Sequence, residues 1–170
     1  MVTPIEACRM LNGKGEYRSG RYFPIYVCKI EPYQVEEAIE LAEQMETTIP
    51  VEFVFREKKD DMDVEGKLYI TPSGRVELSV EGYSEVRIPA VSETLRNINR
   101  RFMNVEFPGG LYGNCGVHET LGGFLLSCVA RAEVDGNPVN LEEVLEKMVQ
   151  TKDKMLKDLS ELDRAWAVRV

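Results

Sequence analysis

Residues 108–134 read PGGLYGNCGVHETLGGFLLSCVARAEV, and the fold turns on whether the second half of this stretch is helix or strand. As a helix, Leu121, Leu125, Cys128, Val129 and Ala132 line one stripe. Asp135-Gly136 then supplies a glycine stop, and Pro138 follows two residues later, as helix exits favour. As a strand, Leu126, Cys128, Ala130, Ala132 and Val134 alternate into an Asp-Gly turn. We take the helical reading, a helix over 120–134. The segment before it, 108–123, then reads as a loop in which six of sixteen residues are glycine.

That reading sets Cys115, Gly116, Val117 and His118 near a helix N-terminus, where free N–H groups attract anions and lower a thiol pKa. Cys115 as nucleophile, His118 as base and the adjacent Glu119 are the candidate catalytic residues. Gly113, Asn114 and Gly116 are candidate ligand contacts, since glycine lets a backbone approach a phosphate or carboxylate closely. Ser92 reads as the N-cap of a further helix burying Leu95, Ile98 and Phe102. Its other side carries Arg96, Arg100 and Arg101, which could close over a small anionic ligand. No metal site is expected: Cys115-x2-His118 is half of a zinc set, and no second close pair completes it. No pattern names a cofactor. The plainer alternative is that the glycines only turn the chain and His118 is a polar surface residue.

Upstream, Thr3-Pro4-Ile5-Glu6 is a capping box with proline at the first helical position, stopped by Asn12-Gly13. Residues 13–21 read as a locally basic loop. Ile25–Ile30 reads as a strand, and Pro32 opens a helix whose stripe is Val35, Ala38, Ile39, Ala42 and Met45. Clean alternation follows at Val51, Phe53, Phe55, at Leu68, Ile70, and at Val76, Leu78, Val80, with a charged loop Glu57–Asp63 and a Thr71-Pro72-Ser73-Gly74 turn between. A short Val86–Ile88 strand is expected to add an edge. The expected fold is a single α+β domain over 1–170: a helix and loop in 1–20, an antiparallel sheet of about four or five strands covered by helices, and a long helix over 140–166.

That last helix is capped by Asn140. Leu141, Leu145, Met148, Lys152, Met155, Leu159, Leu162 and Trp166 follow at alternating spacings of four and three, a coiled-coil seam. Its first half is expected to pack on the sheet. The second half, Met155, Leu159, Leu162 and Trp166, is expected to meet another chain, part of the helix projecting.

Net charge is −8, which repels nucleic-acid backbones and anionic membranes. The longest apolar run, Gly122–Ala130, is too short to span a bilayer, and MVTPIEACRM lacks the regions of a signal peptide. The reading is a soluble, cytoplasmic protein with no nucleic-acid or membrane partner. Its four cysteines, none in a close pair, are expected as free thiols. The leading functional expectation is a non-catalytic accessory protein (subunit, adaptor or chaperone-like), with a protein partner or a second copy docked on the last helix. The alternative is a small-ligand-binding protein or cysteine-dependent enzyme built on 108–123.

Overall fold

A computed structural model describes residues 1–86, 100–120, 123–136 and 138–169; the side chains of 86, 100, 101, 119, 120 and 159–169 lie outside the description. The chain runs α1 (Pro4–Met10), β1 (Lys14–Ser19), β2 (Pro24–Lys29), a 3-10 turn (Pro32–Gln34), α2 (Val35–Glu43), β3 (Val51–Lys59), β4 (Met62–Ile70), β5 (Val76–Val86), β6 (Arg100–Glu106), β7 (Tyr112–Thr120), β8 (Gly123–Glu133) and α3 (Leu141–Arg169). Among the described residues, eight strands form one sheet, in the order β1-β2-β3-β4-β5-β8-β7-β6. Every pairing is antiparallel except β2 with β3. Parallel neighbours need a crossover, and α2 supplies it.

The expected four-to-five-strand antiparallel sheet covered by helices is therefore wrong in size and type: among the described residues the sheet has eight strands, is mixed, and outweighs the helices. Four misread segments account for the difference: those that form β1, β6, β7 and β8. Residues 123–133 are strand β8 rather than helix, paired on one side with β5 and on the other with β7. The glycine-rich segment is a turn followed by a strand. Gly109 and Gly110 have φ of +86° and +81°, which L side chains resist, and Phe107 N donates to Leu111 O across them. The chain then enters β7. The basic loop at 13–21 is mostly edge strand β1. The expected Glu57–Asp63 loop shrinks to a turn at Asp60-Asp61, with Lys59 paired to Met62. Phe102 belongs to β6, while Ser92, Leu95, Arg96, Ile98 and the proposed strand end at 87–88 lie outside the described residues.

One sheet face is apolar and covered. Phe53, Leu68, Leu78, Val80, Leu126 and Ala130 face α1, α2 and the first half of α3 across it. Thr3 caps α1 by accepting from Glu6 N, and Asn140 Oδ1 accepts from Glu143 N at the start of α3. Along α3, Leu141, Leu145, Met148, Lys152 and Met155 are all buried in this chain. The first half of the seam is core, as expected, and so is Met155, which was read as an interface residue.

All four cysteines are paired, against the expectation of free thiols: Cys8 with Cys28 and Cys115 with Cys128. Each bridge follows from the topology. Cys115 and Cys128 are direct cross-strand neighbours on the buried face of β7 and β8. Cys8 on α1 reaches Cys28 on β2 past Gly13 and Gly15, where a side chain would collide with the sulfurs or with Tyr26.

Candidate functional site: a charged depression on the open sheet face

Among the described residues, no helix packs against the second face of the sheet. Its side chains are the alternate positions of each strand, and the register aligns them in transverse rows. One row runs Lys14, Lys29, Val54, Lys67, Ser79, Arg131, Tyr112 from β1 to β7. Two residues along lies a row of Arg56, Glu65, Glu81, Val129 and Asn114. On the other side lie Glu52, Tyr69, Glu77 and Glu133. A central line of cations is thus flanked by two lines rich in carboxylates.

The face is hollowed into a depression of about 720 Å³, lined by the cations Arg18, Lys29, Arg56, Lys67 and Arg131 and by the carboxylates Glu31, Glu65 and Glu81. A second hollow of about 520 Å³ shares Lys67, Ser79 and Arg131 with it and continues toward Tyr69 and Tyr112. Both volumes fall in the range of small-molecule sites. Carboxylates hold three of these cations loosely: Lys67 Nζ is 3.3 Å from Glu52, Arg56 Nη2 3.4 Å from Glu65, and Arg131 Nη2 3.9 Å from Glu81. Pairs this exposed contribute little to stability, so exchanging a carboxylate for a ligand's anionic group costs the fold little. Glu81 also accepts from the Tyr83 hydroxyl, and that bond, with burial and the carboxylate charge, pushes the Tyr83 pKa up to about 12. Glu77 and Glu133 face each other across β5 and β8, and Arg75 bridges them at 3.1 and 3.5 Å.

The residues singled out from sequence fall elsewhere. Cys115 and His118 are three apart on a strand, so they project from opposite faces. Cys115 is buried and disulfide-bonded, which removes it as a nucleophile in this state. His118 lies on the open face, edge to face with the Phe102 ring at 5.7 Å. The side chain of Glu119 lies outside the described residues. Gly113, Asn114 and Gly116 are strand residues of β7, and Gly113 has no room for a side chain because the Val129 carbonyl lies over it. Arg100 is the backbone partner of His118 and Arg101 of Val117, their side chains undescribed; Arg96 lies outside the described residues. Leu159, Leu162 and Trp166 sit on the helical backbone of α3, their side chains undescribed. Among the described residues, no three His, Cys, Asp or Glu side chains gather as a metal would need, and no helix is long and apolar enough to cross a membrane.

The cations of the depression were visible in the sequence only as the polar half of an alternating pattern. What was missing was the register that sets Lys29, Lys67 and Arg131 in one line. No family model matches this chain, and neither a curated protein nor a solved structure matches it.

Proposed function

We propose that this is a non-catalytic binding protein whose open sheet face takes a small polyanion carrying two or more carboxylate or phosphate groups. The observation that carries this is the row Lys29, Lys67, Arg131 in one hollow of a chain whose net charge is −8. In an acidic protein, the depression gathers five cations against three carboxylates, and this local excess of positive charge attracts anions. From Lys29 to Arg131 the row crosses four strand spacings, about 19 Å at about 4.8 Å each, so it suits anionic groups set apart rather than a single ion. Arg131 offers a planar fork for a carboxylate or phosphate, and the lysines act as point charges. The Ser79 hydroxyl and the Tyr69 and Tyr112 rings supply the neutral contacts.

Titration with pyrophosphate and with citrate, followed by calorimetry and amide chemical shifts, tests this. Saturable binding is expected, with shifts centred on Val54, Lys67, Ser79 and Arg131. Lys67→Glu combined with Arg131→Glu should weaken it at least about 100-fold, at roughly tenfold per reversed charge. Lys157→Glu, on the exposed side of α3, should leave it unchanged. Shifts spread evenly over the surface, or a double variant that binds as well as the parent, would refute the reading.

A second reading concerns α3. The seam positions from Leu141 to Met155 are all buried, and the same spacing continues through Leu159, Leu162 and Trp166. Burying each such side chain is worth about 1.5–3 kcal/mol, so the continuation favours a covering partner, as an accessory subunit would have. Leu159→Glu with Leu162→Glu is expected to lower the sedimenting mass while leaving the circular dichroism intact; loss of the fold instead would assign these residues to the core. A cytoplasmic location fits the two disulfides best in a hyperthermophile, where intracellular disulfides persist, and the abundance of Glu suits such a source.

A further inference from the structure

We propose that β1 is a self-complementary pairing edge, through which two copies of the chain join their sheets into one. This is independent of the ligand reading and of the α3 seam.

The backbone of β1 establishes what the edge offers. In the β1–β2 register, Gly20 N donates to Phe23 O at 2.9 Å. In an antiparallel pair, hydrogen-bonded and non-hydrogen-bonded positions alternate. Counting back from Gly20, the residues bonded to β2 are Arg18, Glu16 and Lys14. The rest of β2 agrees: Tyr26 N donates to Pro50 O and Ile30 N to Val54 O, both away from β1. Pro24, which has no N–H, faces Ser19, a position that needs none. Gly15, Tyr17 and Ser19 therefore turn their N–H and C=O groups outward, and every residue of β1 is exposed.

The side chains select the partner. Place a second β1 antiparallel, centred on Tyr17. Gly15 then faces Ser19 of the second copy and Tyr17 faces Tyr17; these are the residues whose backbone groups point outward. Glu16 faces Arg18 in both directions. In the single chain these two already pair within the strand at 2.6 Å, on the open face; in the dimer each finds its opposite on the neighbouring copy. No like charges stand directly opposed. Natural edges resist pairing with lysines or like-signed charges, whereas this one reads Lys14, Glu16, Arg18 in alternating sign.

The exposed apolar side chains are concentrated here too. Tyr17 is 61% exposed, Tyr22 78% and Phe23 66%. The same register brings the Arg21-Tyr22-Phe23 tip to the end of α1 in the second copy, where Met10 is also exposed. The two-fold axis is perpendicular to the sheet, so both open faces lie on the same side. Arg18, at this edge, lines the depression of its own chain.

The test uses the full chain carrying Leu159→Glu and Leu162→Glu, which disables association through α3. Sedimentation equilibrium is expected to give twice the 19.3 kDa chain mass. Adding Tyr17→Pro removes an outward N–H from each copy and leaves the ladder to β2 intact; proline is tolerated at such edges. It should raise the dimer dissociation constant by about tenfold or more, since two symmetry-related hydrogen bonds go at once. If that variant loses its fold by circular dichroism, the charge series decides instead. Glu16→Lys alone should give monomer, and Glu16→Arg with Arg18→Glu should restore the dimer. A monomer before any change to β1, or a dimer indifferent to the change at 16, would overturn the proposal.

Discussion

In excess reductant this protein is expected to lose about 6 kcal/mol of stability and to approach unfolding at ordinary temperatures. The two bridges close loops with sequence separations of 20 and 13, and each constrains the unfolded chain by about 3 kcal/mol. Domains of this size hold only about 5–15 kcal/mol in total. Urea denaturation with and without reductant measures the loss, and intact mass should rise by about 2 Da per bridge on reduction. The effect should divide between the pairs: Cys8→Ala with Cys28→Ala frees α1 from the sheet, and Cys115→Ala with Cys128→Ala loosens the β7–β8 hairpin. Identical midpoints and masses under both conditions would show that the thiols are free.

The second large effect is expected at the Asp61–Lys152 pair. Lys152 is only 4% exposed, on the buried side of α3, and its ammonium reaches Asp61 in the β3–β4 turn, with Asp153 at 3.6 Å. Ser84 also donates to Asp61. Burial opposes the charged lysine, but the bond and charge of Asp61, with Asp153, outweigh it and hold the pKa above the ordinary lysine value. The same hydrogen bond, chiefly, draws the Asp61 pKa below the usual carboxylate range. Asp61→Ala strands a buried cation and should cost about 2–3 kcal/mol, less than a fully broken buried pair because Asp153 remains. Lys152→Met keeps volume and leaves Asp61 wet, so it should cost less than about 1 kcal/mol, and the double variant should match it. For Asp61, the depressed pKa means that its contribution is complete above the unfolded carboxylate value and disappears as pH falls through the lower folded value. The difference between parent and Asp61→Ala should therefore be constant at neutral pH and collapse below about pH 4. Urea midpoints from pH 2 to 7 read this directly.

How much of the molecule could be read from its residues depended on whether a strand has one wet face. β3, β4 and β5 alternate Val, Phe or Leu with Glu, Lys or Ser, so their period was plain. β8 was not, because Leu125 and Val129 on its open face are as apolar as Leu126 and Cys128 beneath, and an apolar run without alternation fits either period. β1 failed for the opposite reason: every residue is exposed and no apolar period exists. The disulfides depend on β7 and β8 being paired, so one misread element concealed the Cys115–Cys128 bridge as well. The first half of the α3 seam was legible since helical spacing and burial coincide there. The depression was the least legible feature, because alternation shows which side chains are wet but not which of them stand side by side.

The pairing of β5 with β8 also has a consequence for how the protein is made. It joins Val76–Val86 to Gly123–Glu133, whereas the hairpins on either side form between neighbours in the chain. Hairpins and the α2 crossover can form as they leave the ribosome, but the seam cannot close until residue 133 has emerged. At about 5–20 residues per second, synthesis of the intervening residues leaves β5 with an unpaired edge for several seconds. Non-local pairings of this kind are also slow to form. During that interval the nascent half-sheet carries an open β5 edge, and its apolar face is covered only by α1 and α2, since α3 has not yet been made. The N-terminal half during translation, with this edge open, is therefore the species most prone to pair with another chain.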